Sequence, residues 1–378
     1  MNRSRLLLSS VQNFSSSLEE KEAISEPLEN KLYRFQIKNG LPGLSCLISK
    51  NYQPIYACNL GHSNLENLSP YQSCTVSRIG SISKVYCMLA IRKLAQEGKI
   101  DLNRPIVEYL PWLDLSQFEN NQQTEIFQKI TFYDILRHES GIRHYLSDNE
   151  FSDESINETN LNLNFNSSKD ALQFLKLLPA DNSKNSIPIC NNFLSPRKYK
   201  NFNYSTHAFT YLSAVVEEVS GKSYLRYLRE NIFKNLNPDL NLNSTFGDET
   251  EKIIANRADG YFRDPSCSSI LKNTKEINQS WKYAGGGLIS SSLDTIKLGN
   301  FLLKDLYEKN DEFVIKFPEH KWLVGLDPSL NGHSGASSGG SCVLYLNPNK
   351  KLVIVVLSNM TSGMSGCKEL LSEIDGYF

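Results

Sequence analysis

The chain has 378 residues, and its 40 Lys and Arg against 41 Asp and Glu give a formal net charge of −1. This balance argues against a nucleic-acid or membrane-surface protein, whose affinity depends on clustered positive charge. The composition is 40% apolar and 10% aromatic, which is enough for a buried core and excludes wholesale disorder. The apolar run 352–357 is far shorter than the roughly 20 residues of a membrane-spanning helix, so we expect a soluble globular protein without a membrane span.

Residues 1–26 are predicted to form a leader. Its first part, 1–18, contains Arg3, Arg5 and several serines and no acidic residue, which is typical of mitochondrial transit peptides. The apolar run 6–8 is too short for the core of a secretory signal. The alternative is a disordered tail without a targeting role.

The eight cysteines form no CxxC pair and no Cys/His spacing that fits zinc. Several lie in apolar stretches, such as Cys46 in LSCLI and Cys342 in SCVLYL. They are interpreted as buried reduced thiols. We therefore expect no metal site, no cofactor and no disulfide framework.

The elements after the leader follow in chain order from the apolar periodicity. Residues 27–39 have helical spacing and stop at Gly40, and the segments 44–50 and 54–61 are predicted to form a β-hairpin. Four helices are predicted in the middle of the chain. The first begins at Ser81 and ends before Gly98, and the second follows a capping box at 131–134. The third spans 208–219 before Gly221, and the fourth begins at 291–294. The later predicted elements are strands within 320–326, 340–346 and 351–359 and a helix over 367–375.

Strands near both ends with helices between them predict one α/β (α+β) catalytic domain over 27–378. Its α/β part is built from 27–80 and 281–378, and 81–280 is expected to be mainly helical. The segment 147–168 is rich in Asn, Ser and acidic residues, so it is predicted to be a surface loop, with a disordered segment as the alternative.

Ser81-Ile82-Ser83-Lys84 is an S-x-x-K motif, and three further copies of this pattern begin at Ser195, Ser269 and Ser365. Only Ser81 opens a long predicted helix directly after a turn. Positions i and i+3 share a helix face, so Lys84 can reach the Ser81 hydroxyl. A serine at a helix N-terminus also lies where free backbone N–H groups stabilise negative charge. The alternative is a helix cap followed by a solvated lysine.

Two further motifs favour the chemical interpretation, FNYST at 202–206 before a predicted helix and GHSGA at 332–336 at the mouth of an apolar strand. With them, the chain resembles the serine β-lactamase and penicillin-binding-protein superfamily, and in particular its class C, esterase-like branch. The resemblance implies the β-lactamase/transpeptidase-like fold, an antiparallel sheet flanked by helices with an inserted, mostly helical subdomain. The similar stretches stand in family order at 78–84, 97–111, 130–145, 203–221, 257–262, 282–302, 332–335 and 351–359.

The resemblance implies a role for each matching position. Ser81 would be the nucleophile, Lys84 its proton partner and Tyr204 a second acid/base. The backbone N–H groups of Ser81 and Ala336 would form the oxyanion hole. The residues expected to line the substrate cleft are Thr206, His333, Ser334 and Gly335.

Two departures weaken the expectation of efficient β-lactam hydrolysis. Thr206 stands where many relatives have Asn, so an amide that both donates and accepts hydrogen bonds is missing. His333 replaces a lysine and is only partly protonated near pH 7. The pair His138 and His144 fits no common metal-ligand spacing, and we expect it to be structural.

The sequence thus predicts a serine hydrolase that acts on a peptide or an ester. Similarity to the mitochondrial members found in animals implies a mitochondrial serine peptidase linked to lipid metabolism, and leaves a homo-oligomer open. One alternative is a catalytically weak, self-assembling structural protein of the same fold. Another is a cytosolic esterase or D-amino-acid-type peptidase.

Overall fold

The structure is a computed structural model, and it describes residues 18–115, 121–142, 144, 163–177, 199–236, 240–316, 321–327 and 330–378. The helices are α1 Leu18–Asn39, α2 Ser83–Gln96, α3 Asn121–Phe127, α4 Phe132–Leu136, α5 Ser168–Leu177, α6 His207–Ser220, α7 Tyr224–Leu228, α8 Ser292–Phe301 and α9 Cys367–Asp375. The strands are β1 Gly43–Lys50, β2 Gln53–Asn64, β3 Ser69–Pro70, β4 Ser77–Arg78, β5 Phe246–Gly247, β6 Tyr261–Asp264, β7 Cys267–Asn273, β8 Leu288–Ser290, β9 Val314–Lys316, β10 Lys321–Leu323, β11 Gly332–Ser337, β12 Gly340–Asn347 and β13 Leu352–Ser358. Short 3₁₀ turns occupy Gly80–Ile82, Ile106–Tyr109 and Ser280–Lys282, and π-helical segments occupy Arg229–Phe233 and Leu302–Tyr307.

The main sheet has six strands in the order β11-β12-β13-β1-β2-β3. All its neighbouring strands are antiparallel, and β1 pairs with β13 in a register that places Leu47 opposite Val355. The first and last strands of the chain therefore meet at the centre of one sheet. This confirms the predicted fold class.

Alternation along the central strand β13 divides the core into two parts, because successive side chains of a strand point to opposite faces. Val353 and Val355 belong to a large cluster that includes α2, α6 and α8. Ile354 and Val356 belong to a second cluster, which α1 and α9 cover. The larger cluster joins the sheet to the helical part of the chain, and it includes Ile79 and Ile82, which flank Ser81.

The predicted helix ends have the expected local chemistry. The Thr131 side chain accepts a hydrogen bond from the Asp134 backbone, and the Asp134 carboxylate accepts one from Thr131, which is a capping box. Gly221 ends α6 with φ of +66°, in the left-handed region that glycine adopts without strain. The Ser291 side chain caps α8 through the Asp294 N–H.

Three predicted boundaries were wrong. Helix α1 begins at Leu18 and not at Pro27, which lies inside the helix, because the preceding stretch 19–24 (EEKEAI) consists mainly of good helix formers. Helix α2 begins at Ser83, after a 3₁₀ turn that holds Ser81. The GHSGA motif lies within a strand of its own, β11, and not at the mouth of a later one.

Several other predictions have a mixed outcome. Most of the predicted loop 147–168 lies outside the described residues, as does Cys190, and Ser168 already begins α5. The other seven cysteines are free thiols, and five of them are buried, but Cys267 is exposed. Among the described helices, none has the length and apolarity needed to cross a bilayer.

Candidate active site

Ser81 lies in the 3₁₀ turn between β4 and α2, and the turn is held from both sides. The Ser83 hydroxyl donates to the Gly80 carbonyl oxygen at 2.6 Å and accepts a hydrogen bond from the Leu288 N–H at 3.1 Å. Gly80 has φ of +46°, and a Cβ placed on it would lie 2.7 Å from the backbone nitrogen of Ala336. Glycine at this position therefore allows β11 to approach the turn that holds Ser81 closely.

Lys84 is fully buried, and its ammonium group is surrounded by oxygens. Its Nζ atom donates to Ser81 Oγ at 3.0 Å, to Thr206 Oγ1 at 3.0 Å and to the Gly285 carbonyl oxygen at 2.5 Å. A lysine has three N–H donors, so these three uncharged oxygens match its donor count. The S-x-x-K spacing thus places the two side chains in contact, even though the α-helix begins after Ser81.

Tyr204 approaches Ser81 from the loop before α6. Its Oη atom donates to Ser81 Oγ at 2.7 Å, and Lys84 Nζ lies 4.8 Å from the centroid of its ring. Ser81 Oγ therefore accepts hydrogen bonds from two side chains at once. Two donors aimed at one oxygen stabilise negative charge as it develops there.

Two histidines hold the loop that carries Tyr204. His138 Nδ1 accepts a hydrogen bond from the Ser205 N–H, and His144 Nδ1 accepts one from the Thr206 N–H, each at 3.1 Å. The His138 and Tyr204 rings lie 4.3 Å apart. Burial, with the Lys84 charge second, holds the pKa of His138 well below its usual range, so the ring stays neutral and can accept. The spacing of this pair excluded a common metal site but gave no sign that both rings contact the Tyr204 loop.

His333 and its neighbours on β11 form the other wall of the site. His333 is 4% exposed, and burial, followed by the charge of Lys84, lowers its pKa to about 4. Its Nδ1 lies 2.6 Å from the Ser334 carbonyl oxygen, which in the neutral ring makes Nδ1 the donor. A Cβ on Gly335 would lie 2.0 Å from the Ile79 carbonyl oxygen, so this glycine permits the close packing of β11.

The structure brings most of the predicted residues together, but not all in the same way. Ser81, Lys84, Tyr204 and Thr206 are joined by hydrogen bonds. The Ala336 backbone adjoins the turn of Ser81. Ser334 is exposed and, with Gly335 and Ala336, lines a cavity of ≈ 430 Å³ that extends to the start of α9.

Arg78 is a further residue of this region that the sequence did not indicate. Its Nε atom contacts the buried Asp248 carboxylate at 2.6 Å, and its Nη1 atom donates to the Ser338 carbonyl oxygen at 2.7 Å. Asp248 is also paired with Arg257. Arg78 thereby links the strand before Ser81 to the turn that follows Ala336.

Comparisons with known proteins support the resemblance to the β-lactamase superfamily that the sequence motifs indicated. The profile of the beta-lactamase family matches residues 22–371. Human "Serine beta-lactamase-like protein LACTB, mitochondrial" is 30% identical over 319 residues, which cover 74% of this chain and 56% of that protein. The chain thus spans little more than half the length of this curated relative.

Solved structures share the fold. An octameric penicillin-binding protein homologue from Pyrococcus abyssi superposes with a TM-score of 0.65 at 24% identity, covering 89% of this chain and 73% of that one. D-amino acid amidase from Ochrobactrum anthropi SV3, complexed with L-phenylalanine amide, superposes with a TM-score of 0.66 at 17% identity, covering 95% and 98%. At these identities the likeness concerns the fold alone.

Proposed function

This chain belongs to the beta-lactamase family, and we propose that it is a serine hydrolase that cleaves an amide or an ester through an acyl-Ser81 intermediate. The observation that carries the proposal is the position of Ser81 Oγ, which accepts hydrogen bonds from both Lys84 Nζ and Tyr204 Oη. A serine hydroxyl is a weak nucleophile unless a neighbouring group takes its proton. Lys84 and Tyr204 are the groups within reach.

In the proposed mechanism, Ser81 Oγ attacks the substrate carbonyl carbon as its proton moves to Tyr204. Before this transfer the Tyr204 phenol gives its own proton to water, and the Lys84 ammonium, 4.8 Å from the centroid of the tyrosine ring, stabilises the phenolate that results. The tetrahedral oxyanion would be bound by the N–H groups of Ser81 and Ala336, at about 2.7–4 kcal/mol for each donor. Tyr204 then returns the proton to the leaving oxygen or nitrogen. Water attacks the acyl-Ser81 ester by the same steps in reverse.

The neutral state of His333 bears on the substrate. A lysine at this position would supply a fixed cation for a substrate carboxylate, whereas an imidazole with a pKa of about 4 is uncharged at pH 7. The cleft therefore favours peptide or simple ester substrates over β-lactams, which carry a carboxylate.

The proposed setting is that of a mitochondrial serine peptidase linked to lipid metabolism. The Arg- and Ser-rich, acid-poor start of the chain supports this setting. So does the mitochondrial name of the human relative, although this chain covers only 56% of it. Imaging a fluorescent fusion with and without residues 1–18 tests the proposed mitochondrial localisation. Cytosolic signal from both forms would favour the alternative of a cytosolic esterase or a D-amino-acid-type peptidase, to which the amidase structures lend support.

The test of the activity is labelling of the purified protein with a fluorophosphonate probe. We expect labelling of the wild type and its loss in Ser81→Ala. Ser269→Ala is the matched control, because Ser269 begins another S-x-x-K pattern but lies on strand β7, and this variant should label fully. Labelling that survives Ser81→Ala overturns the proposal.

A second candidate is a self-assembling structural protein with weak catalysis, which the octameric homologue favours. Light scattering across a dilution series, combined with ester turnover, separates the two functions. Large assemblies without Ser81-dependent turnover would favour the structural function.

A further inference from the structure

Arg78 lies three residues before Ser81, and its side chain is 12% exposed. Its Nε atom donates to Asp248 Oδ2 at 2.6 Å, and its Nη1 atom donates to the Ser338 carbonyl oxygen at 2.7 Å. The side chain of Asp248 is 1% exposed and also pairs with Arg257. A planar guanidinium holds two acceptors in a fixed relative position, which an ammonium on a flexible stem does not. Arg78 therefore joins Asp248 to Ser338 through one rigid group.

The Asp248 end of this link belongs to the same small sheet as the strand before Ser81. Strands β4, β8 and β5 form that sheet, and Arg78 on β4 is opposite Ile289 on β8. Asp248 directly follows β5, and its N–H donates to the Gly287 carbonyl oxygen at 2.9 Å. Backbone hydrogen bonds thus fix this end of the link.

The Ser338 end lies in the turn that connects β11 with β12. Ala336 stands two residues before Ser338, on β11. A Cβ placed on Gly340 would lie 2.6 Å from Arg78 Cβ, so the turn packs directly on Arg78. The contact between Arg78 and Ser338 therefore helps to decide where the end of β11 lies.

The two N–H groups of the proposed oxyanion hole lie on opposite sides of this link, because Ser81 follows Arg78 and Ala336 precedes Ser338. The two backbones are close, since a Cβ placed on Gly80 would lie 2.7 Å from the backbone nitrogen of Ala336. Such a hole stabilises the transition state only when each donor lies within about 2.7–3.1 Å of the oxyanion. A small shift of β11 relative to the turn of Ser81 would therefore weaken it.

We propose that Arg78 is a positioning residue for the oxyanion hole, which by bonding both Asp248 and Ser338 sets the distance between the N–H groups of Ser81 and Ala336. Arg78 acts through β11 and does not itself contact the substrate. The inference rests on the proposed function and deepens it, because it names the contact that keeps the second oxyanion donor in place.

The experiment compares Arg78→Met with Arg92→Met in the full-length protein. Arg92 is the matched control, because its side chain is 11% exposed and bonds the Asp311 carboxylate through two nitrogens, from a later turn of α2. Active sites are titrated to completion with a fluorophosphonate, and kcat/KM for phenyl N-acetylglycinate is expressed per titrated site. We expect it to fall by about 10-fold or more in Arg78→Met, because a misplaced oxyanion donor slows the chemical step. Arg92→Met should keep the wild-type value.

Inhibition by (acetamidomethyl)boronic acid is the readout that a loss of stability alone would not move. Its boron takes an electron pair from Ser81 Oγ, the hydroxyl proton passes to Tyr204, and no other bond breaks. The adduct is tetrahedral, like the transition state, and places an oxygen in the oxyanion hole. We expect its dissociation constant to rise in Arg78→Met by a factor similar to the fall in kcat/KM. In Arg92→Met it should not change.

A wild-type kcat/KM in Arg78→Met, or an equal fall in Arg92→Met, overturns the inference while the proposed function stands. A fall in kcat/KM with an unchanged boronate constant overturns it as well, because Arg78 would then act elsewhere than on the oxyanion. If Arg78→Met does not fold, Arg78→Lys keeps the positive charge beside Asp248 without the planar fork, and it must show both losses relative to Arg92→Lys. If the wild type shows no Ser81-dependent turnover, the proposed function fails and the inference falls with it.

Discussion

The hydrogen-bonded cluster of Ser81, Lys84, Tyr204 and Thr206 lies near a cavity beside Ala336 that Gln279 lines. The buried polar side chains of the two regions differ in whether they have hydrogen-bond partners. In the cluster, each of the three donors of Lys84 has an oxygen to receive it. In the cavity, the equally buried carboxamide of Gln279 has no such partner among the described residues. The side chains that the proposed mechanism uses to move protons are thus held by hydrogen bonds before a substrate arrives.

The largest loss of activity is expected when Lys84 is replaced. In Lys84→Met, Ser81 Oγ loses one of its two donors and the site loses its cation, so we expect kcat/KM for a generic ester to fall by about 10³-fold or more. Lys272→Met is the matched control, since Lys272 completes another S-x-x-K pattern but pairs with Asp264 on the hairpin β6–β7. It should retain wild-type turnover. Wild-type rates in Lys84→Met would mean that the cluster is not catalytic.

Removing the tyrosine hydroxyl should have the next largest effect. Tyr204→Phe deletes the 2.7 Å hydrogen bond to Ser81 Oγ but keeps the ring that packs on His138. We expect kcat/KM to fall by about 10²-fold or more with a thermal midpoint near that of the wild type. Tyr199→Phe, on the same segment, should be silent. Equal activity of the two variants would remove Tyr204 from the mechanism.

A smaller loss of activity is expected when His138, which holds the loop that carries Tyr204, is replaced. His138 has φ of +58° and accepts from the N–H of Ser205, which is fully buried. His138→Leu leaves that N–H unpaired, so we expect a loss of about 1–3 kcal/mol in the free energy of unfolding and a kcat about 10-fold lower, with KM less affected. His138→Asn should recover part of both, because asparagine tolerates positive φ and provides an acceptor oxygen. Equal kcat values for the two variants would argue against a positioning role.

The last prediction concerns stability in acid and not turnover, and it depends on two buried imidazoles. Burial lowers the pKa of His333 to about 4 and that of His207 to about 3, from an ordinary value of 6.5. The unfolded chain therefore binds protons below pH 6.5 that the folded chain refuses. This contribution to stability is fully present above pH 6.5 and is lost as the pH falls towards 4. Between pH 7 and pH 5 we expect each imidazole to cost about 1–2 kcal/mol.

Urea unfolding at the two pH values measures this loss, and His207→Asn should reduce it. A stability that does not change between pH 7 and pH 5 would contradict the neutral, buried state of His207 and His333.

Local patterns predicted much of the fold, because they depend on neighbours in sequence. The helix α9 over 367–375, the hairpin of β1 and β2, and the Thr131 capping box were all predicted correctly from spacing and turn chemistry. The start of α1 was missed because a proline marks a helix start only when the residues before it do not favour helix. Here they do.

The candidate site also contains both contacts that the sequence predicted and contacts that it did not. Ser81 and Lys84 are three residues apart, so their contact could be predicted from helix geometry, and the family resemblance supplied Tyr204. The bonds of His138 to the Tyr204 loop and of Arg78 to Ser338 join segments far apart in the chain. The unpaired state of Gln279 becomes visible only when its surroundings are known. No local pattern marks any of these three residues.

The central claim is an acyl group on Ser81, and mass spectrometry tests it most directly. The protein is incubated with phenyl N-acetylglycinate, quenched in acid during turnover and digested. We predict that the peptide containing Ser81 carries an increment equal to one acetylglycyl group and that Ser81→Ala carries none. Continued ester turnover with no increment on that peptide, or an increment that persists in Ser81→Ala, would contradict it.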